Sequence, residues 1–162
     1  MQPHEFGCFL WPPSYAGRRR ETPYPTQQWA FGAKYFYRVQ EIDRDDTIYG
    51  RPGADYLYDA SGRNNIEGGP GTDFVAGHSR LLGGTGDDRI SGETGVVGGP
   101  RGILGGAGED CVDSREDTND TIYVSDGQRD TVGCGDGTDT VYFDKGIDKF
   151  VDNSGCENRV PK

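Results

Sequence analysis

Ten acidic or amide side chains stand two places ahead of an apolar residue, and their spacing is regular. Asp46, Asp55, Asn64 and Asp73 step by nine residues, and Asp130, Asp139 and Asp148 do so again. Asp88, Asp110 and Asp120 lie between the two runs. Glycines cluster just before the acids. Three stretches share one pattern, with Gly68, Gly69 and Gly71 before Asp73, Gly83, Gly84 and Gly86 before Asp88, and Gly105, Gly106 and Gly108 before Asp110. Glycine in a tight turn supplies φ > 0 without steric cost, so successive carbonyls can be aimed into one pocket. Carbonyl and carboxylate oxygens together suit Ca²⁺, a hard cation that takes six to eight oxygen ligands. Mg²⁺ suits them less, because it demands strict octahedral geometry. Zn²⁺ would call for Cys and His at close spacing, and the chain has only His4 and His78 and no Cys-x-x-Cys.

The same phrase prescribes the elements that hold the turns. One apolar residue flanked by two outward neighbours is the shortest β-strand. Three strand residues and a six-residue turn make nine, and two such units make one coil of a parallel β-roll. The inward residues expected are Ile48, Leu57, Ile66, Val75, Leu81, Ile90, Val96, Ile103, Val112, Ile122, Val132, Val141 and Phe150. The 15 residues from Asp73 to Asp88 read as one nonad and a shortened turn at 77–82, followed by a second shortened turn at 92–97. Residues 98–104 read as a degraded unit without a carboxylate, and Ser114 and Val124 as single insertions. Counted this way, Asp55, Asp73, Asp88, Asp120 and Asp139 belong to one edge. Asp46, Asn64, Asp110, Asp130 and Asp148 belong to the other. The best ion site is expected between 68–73 and 83–88, with ions on one edge only in the middle of the roll.

The pattern Gly-Gly-x-Gly-x-Asp-x-apolar-x resembles the RTX, or haemolysin-type, calcium-binding nonapeptide repeat. The resemblance spans about 41–151. It implies an all-β parallel β-roll binding several Ca²⁺ ions, in calcium-rich surroundings outside the cell. The tail from Thr131 to Glu157 resembles a subtype with a C-terminal cysteine pair. Four cysteines allow three full pairings. Cys134–Cys156 is the pair expected in an oxidising compartment, with unpaired thiols as the alternative. Cys111, beside inward Val112, is expected to face outward, either free or paired with Cys8.

Composition agrees. Of 162 residues only 32% are apolar, and 27 are Gly, against about 7% in average proteins. So thin a core leaves ion binding to supply folding free energy. The formal charge of −10 argues against nucleic acid, which is bound through clustered Lys and Arg. No apolar run approaches the ~18 residues of a membrane helix. Residues 1–40 form a Pro- and aromatic-rich leader, irregular or a cap. Residues 41–162 form the roll, with a C-terminal cap at about 152–162. Arg18, Arg19 and Arg20 are not followed by an apolar stretch, so no export signal is visible. Neither His-Glu-x-x-His nor Gly-x-Ser-x-Gly occurs. An acid near His78-Ser79 does not make a triad, because proximity in sequence says nothing about geometry. Asp87-Asp88 could imitate glycosidase carboxylates, but position six of the repeat already explains Asp88. The expectation is a monomeric, secreted, non-enzymatic calcium-binding roll. The alternatives are an adhesion or polysaccharide-binding module in which calcium is only structural, its outward Tyr49, Tyr56, Tyr58, Phe74, Tyr123 and Tyr142 serving a ligand, and a fragment of a larger RTX enzyme or toxin.

Overall fold

The computed structural model describes residues 28–29, 36–39, 47–92, 101–114, 118–151 and 155–162. Among these there is no helix, and every strand pairing is parallel. The strands are β1 (Gln28–Trp29), β2 (Phe36–Val39), β3 (Thr47–Tyr49), β4 (Tyr56–Pro70), β5 (Phe74–Thr85), β6 (Arg89–Gly92) and β7 (Arg101–Ala107). After them come β8 (Cys111–Asp113), β9 (Asp120–Tyr123), β10 (Thr131–Gly133), β11 (Thr140–Phe143), β12 (Lys149–Phe150) and β13 (Asn158–Pro161). β4 and β5 are long enough to cross both faces and the turn between them. The wall is therefore one wound sheet rather than two separate ones.

Register shows how the chain coils. On one face Leu57, Val75, Ile90, Val112, Val132 and Phe150 stack rung on rung. On the other the column is Ile48, Ile66, Leu81, Ile103, Ile122 and Val141, and Arg159 takes the last position. The inward aliphatics from Ile48 to Val141 are fully or almost fully buried. Expected Val96 lies outside the described residues. Alternation explains the pattern: period-two side chains send one residue in and its neighbours out.

Two features depart from the nine-residue count. Val124, counted as an insertion, is 1% exposed and belongs to the core cluster. The edges also divide differently. β6 pairs directly with β8, Ile90 against Val112, while β7 pairs with the Arg80–Thr85 part of β5. β6 and β7 therefore lie on opposite faces, whereas a shortened turn at 92–97 followed by a degraded unit at 98–104 would put Ile90 and Ile103 on the same one; residues 93–100 lie outside the described residues. Everything downstream shifts by half a coil. Asp110, Asp130 and Asp148 therefore share an edge with Asp55, Asp73 and Asp88, and not with Asn64.

The C-terminal end is closed differently from the middle. Cys134 and Cys156 are joined, with Cα atoms 5.2 Å apart. Arg159 lays its guanidinium 3.9 Å from the Phe150 ring centroid and donates from Nε to the Cys156 carbonyl. A cation over an aromatic face is favourable and covers apolar surface. Phe150 meets Phe143 edge-on at 5.0 Å. Cys111 is disulfide-bonded and only 4% exposed, although alternation puts it on the outer face. Cys8 lies outside the described residues. Upstream of residue 41, β1 and β2 add rungs to β3 and β4.

Candidate metal centre

Edge I is crossed by the turns 50–55, 68–73, 83–88, 105–110, 124–130 and 144–148. Their aspartates form a continuous ladder. The backbone N–H of Asp55 donates to Oδ1 of Asp73 at 2.8 Å, and Asp73 donates in the same way to Asp88 at 2.8 Å. Asp88 donates to Asp110 at 2.9 Å, Asp110 to Asp130 at 2.8 Å and Asp130 to Asp148 at 3.0 Å. The sequence separations along it are 18, 15, 22, 20 and 18. The turns absorb these differences while the carboxylates keep one register. Edge II carries a shorter ladder, Asp120 to Asp139 at 2.7 Å and Asp139 to Oε2 of Glu157 at 3.0 Å.

One oxygen of each accepting carboxylate, from Asp73 onward on edge I, is thereby engaged, and the second is the informative one. Oδ2 of Asp73, Asp88, Asp110, Asp130 and Asp139 is buried and has no hydrogen-bond partner. A buried ionised group is costly unless paired or bound to metal. Burial accordingly pushes Asp88 up to about 8, and the neighbouring charges of Asp73, Asp110 and Asp87 add to this. The hydrogen bond from the Asp73 backbone opposes the rise. Burial likewise moves Asp130 to about 8, Asp139 to about 7, and Asp73 and Asp110 to about 6. Asp148, less enclosed, is raised for the same leading reason.

The space these oxygens face is built by glycine. A Cβ placed on Gly68 would stand 2.6 Å from Asp73 Oδ2 and 2.5 Å from the Gly83 carbonyl oxygen. One placed on Gly83 would meet Asp88 Oδ2 and the Gly105 carbonyl in the same manner. Gly84, at φ +123°, leaves no room for a side chain against the Gly69 carbonyl, as Gly86 leaves none against that of Gly71. Carbonyl oxygens of Gly69, Gly71 and Gly83 therefore stand where the 68–73 and 83–88 turns stack closely, and that of Gly83 lies beside Asp73 Oδ2 against Gly68. Among the described residues, no three His, Cys, Asp or Glu side chains converge on one point. An ion held here would draw mostly on backbone oxygens, with one or two carboxylates. That donor set fits Ca²⁺ and offers nothing that Zn²⁺ prefers.

The other expected residues are placed as follows. Gly105, Gly106 and Gly108 continue the glycine columns beside Asp110. Asn64 is buried at the start of the second-face strand, in register with Ser79. Asp46 lies outside the described residues. Glu157 was not expected: it follows no Asp-x-apolar phrase, and only its 18-residue distance from Asp139 marks it. Asp126 and Asp144 were also missed. They accept backbone N–H groups of Gly108 at 3.0 Å and Gly127 at 2.6 Å, fastening the outer rim of edge I.

Among known families, residues 43–75 and 76–96 match the RTX calcium-binding nonapeptide repeat in its four-copy form. No curated protein and no solved structure matches significantly. The matched stretch holds the turns 50–55, 68–73 and 83–88, whose stacked glycines and laddered aspartates have just been described. Residues 43–96, about a third of the chain, thus match the RTX calcium-binding nonapeptide repeat, and the described residues are wound as a parallel β-solenoid.

Proposed function

We infer that the chain binds calcium ions between the stacked turns of edge I, and that binding completes its folding. The observation that carries this reading is the row of buried, unpartnered carboxylate oxygens at Asp73, Asp88 and Asp110, two of which sit beside gaps lined by carbonyls. A cation there neutralises charges that the fold otherwise encloses at a cost. The residues placed to hold ions are Asp55, Asp73 and Asp88, with the carbonyls of the glycine columns through Gly105. On edge II, Asp120, Asp139 and Glu157 form the smaller candidate group. Such binding supplies folding free energy, which a wall with one inward residue per half-coil needs.

The roll acts without catalysis in this reading. Its buried carboxylates hold backbone N–H groups with one oxygen and point the other inward, so neither is placed to exchange protons with a substrate. The Cys134–Cys156 disulfide supports an oxidising location outside the cytosol. The polysaccharide alternative has less support. Tyr56 and Phe74 stack at 4.6 Å, and Tyr123 and Tyr142 at 4.8 Å with 3° between planes. In each pair the stacking covers one face of both rings.

The test is far-UV circular dichroism of the full chain at pH 7.5. Chelated protein is titrated with Ca²⁺, and with Mg²⁺ as control. A cooperative gain of β signal with Ca²⁺ alone is expected. A β spectrum already complete in chelator would overturn metal-driven folding.

A further inference from the structure

We propose that Val124 ends the calcium register on edge I, so that ions occupy the three gaps between the turns from 50–55 to 105–110 and none beyond. This rests on the calcium reading above and sets its limits along the fold.

The turns differ in what stands in front of each buried carboxylate. Beside Gly50, Gly68 and Gly83, the next turn contributes a carbonyl oxygen, from Gly68, Gly83 and Gly105 respectively. Beside Gly105 no carbonyl oxygen comes as near, none lying closer than 3.4 Å. The space next to Asp110 Oδ2 is bounded instead by a methyl group, Cγ1 of Val124, 3.3 Å from where a Cβ on Gly105 would sit. An oxygen wall has become hydrocarbon. A hard cation needs six or more oxygens, and a methyl at that place both removes a donor and fills volume.

Val124 is not a surface residue that strays into the gap. It is 1% exposed and part of the core cluster, and its N–H donates to the Tyr142 carbonyl at 3.0 Å. The next turn repeats the device. Phe143, five residues before Asp148 as Gly68 is five before Asp73, packs on the core and against Phe150. The downstream turns of edge I are thus closed by apolar side chains where the upstream turns have glycine. The aspartate ladder continues past this point, so the row of acids overstates the number of ions.

Calcium bound to the oxidised full chain would be counted by native mass spectrometry and by equilibrium dialysis. Val124→Gly is expected to gain about one ion over wild type, and Val124→Leu to gain none. Asp88→Asn should lower the count, whereas Asp130→Asn should leave it unchanged. That second pair tests the proposal even if Val124→Gly does not fold. A folded Val124→Gly with an unchanged count, or an Asp130→Asn that loses an ion, would overturn it. Wild type retaining no calcium would overturn the calcium reading itself, and this limit with it.

Discussion

Asp88 performs two tasks with its two oxygens, and two substitutions separate them. Oδ1 accepts the N–H of Asp73 at 2.8 Å in a buried setting, and Oδ2 faces the carbonyl-lined gap. Asp88→Asn keeps an oxygen for the Asp73 N–H and removes the charge. Asp88→Ala removes both. A buried N–H left without an acceptor costs about 1–3 kcal/mol, so Ala should be less stable than Asn by that amount in urea at saturating calcium. For calcium affinity the two should behave alike. Losing even an outer partner of a metal ligand costs about 10–100-fold, and a direct ligand should cost no less. The Ca²⁺ midpoint of folding at pH 7.5 should therefore rise at least ~10-fold in both variants, about 1.4 kcal/mol or more. The assay is circular dichroism in two titrations, calcium at fixed urea and urea at fixed calcium. A midpoint within threefold of wild type in Asp88→Asn would refute Asp88 as a ligand. Equal urea stability of Asn and Ala would refute the ladder as a stabilising element.

Further outcomes are expected. In chelator, folding should be favoured by acid. The folded-state values of about 6 for Asp73 and Asp110, about 7 for Asp139 and about 8 for Asp88 and Asp130 lie above the ordinary 3.8. The folded chain then holds more protons than the unfolded one between about pH 4 and 8, so its stability falls as pH rises through that window; a β signal that does not grow on acidification contradicts this. Calcium binding near pH 6 should correspondingly release protons, measurable by calorimetry in buffers of different ionisation enthalpy. Gly84→Ala should abolish or severely weaken folding, because it sets a Cβ against the Gly69 carbonyl at φ +123°. Gly102→Ala, whose Cβ would meet only Leu104 Cδ1 at 4.0 Å, should melt within a few degrees of wild type. Replacing Cys134 and Cys156 by Ser opens a link across 22 residues and should lower stability in calcium by about 2–4 kcal/mol, read by urea melts.

The repeat phrase made the core legible because each inward residue answers a local rule, two places after an acid and flanked by outward neighbours. Ile66, Ile90 and Ile122 needed nothing more. Edge assignment is another matter. A parallel coil can take 15 residues or 22 and keep its strands in register, so residue counting cannot distinguish a long crossing from a turn, a strand and a turn. The stretch after Gly92 is where that ambiguity moved Asp110 to the wrong edge. Val124 was hidden for a related reason. It falls outside the Asp-x-apolar phrase, and only its contact with the neighbouring coil shows that it points inward. Glu157 was hidden because its partner, the Asp139 N–H, is set by stacking and not by local sequence.

The aspartate ladder also has a direction. From Asp55 to Asp130 each rung donates its N–H toward the C-terminus, and from Asp73 to Asp148 each receives one from the N-terminal side, so the two ends of the ladder are not equivalent. Removing a coil from the front leaves a spare acceptor, which water can serve. Removing one from the back strands a buried donor. The last rung is arranged for this: the Asp148 N–H turns back to the Asp144 carbonyl at 3.1 Å, and the Asp144 N–H reaches Asp148 Oδ2 at 2.7 Å. A chain that emerges N-terminus first therefore carries each new coil with its donor waiting for the next. The wall becomes self-consistent only once residues 144–148 arrive to end the series.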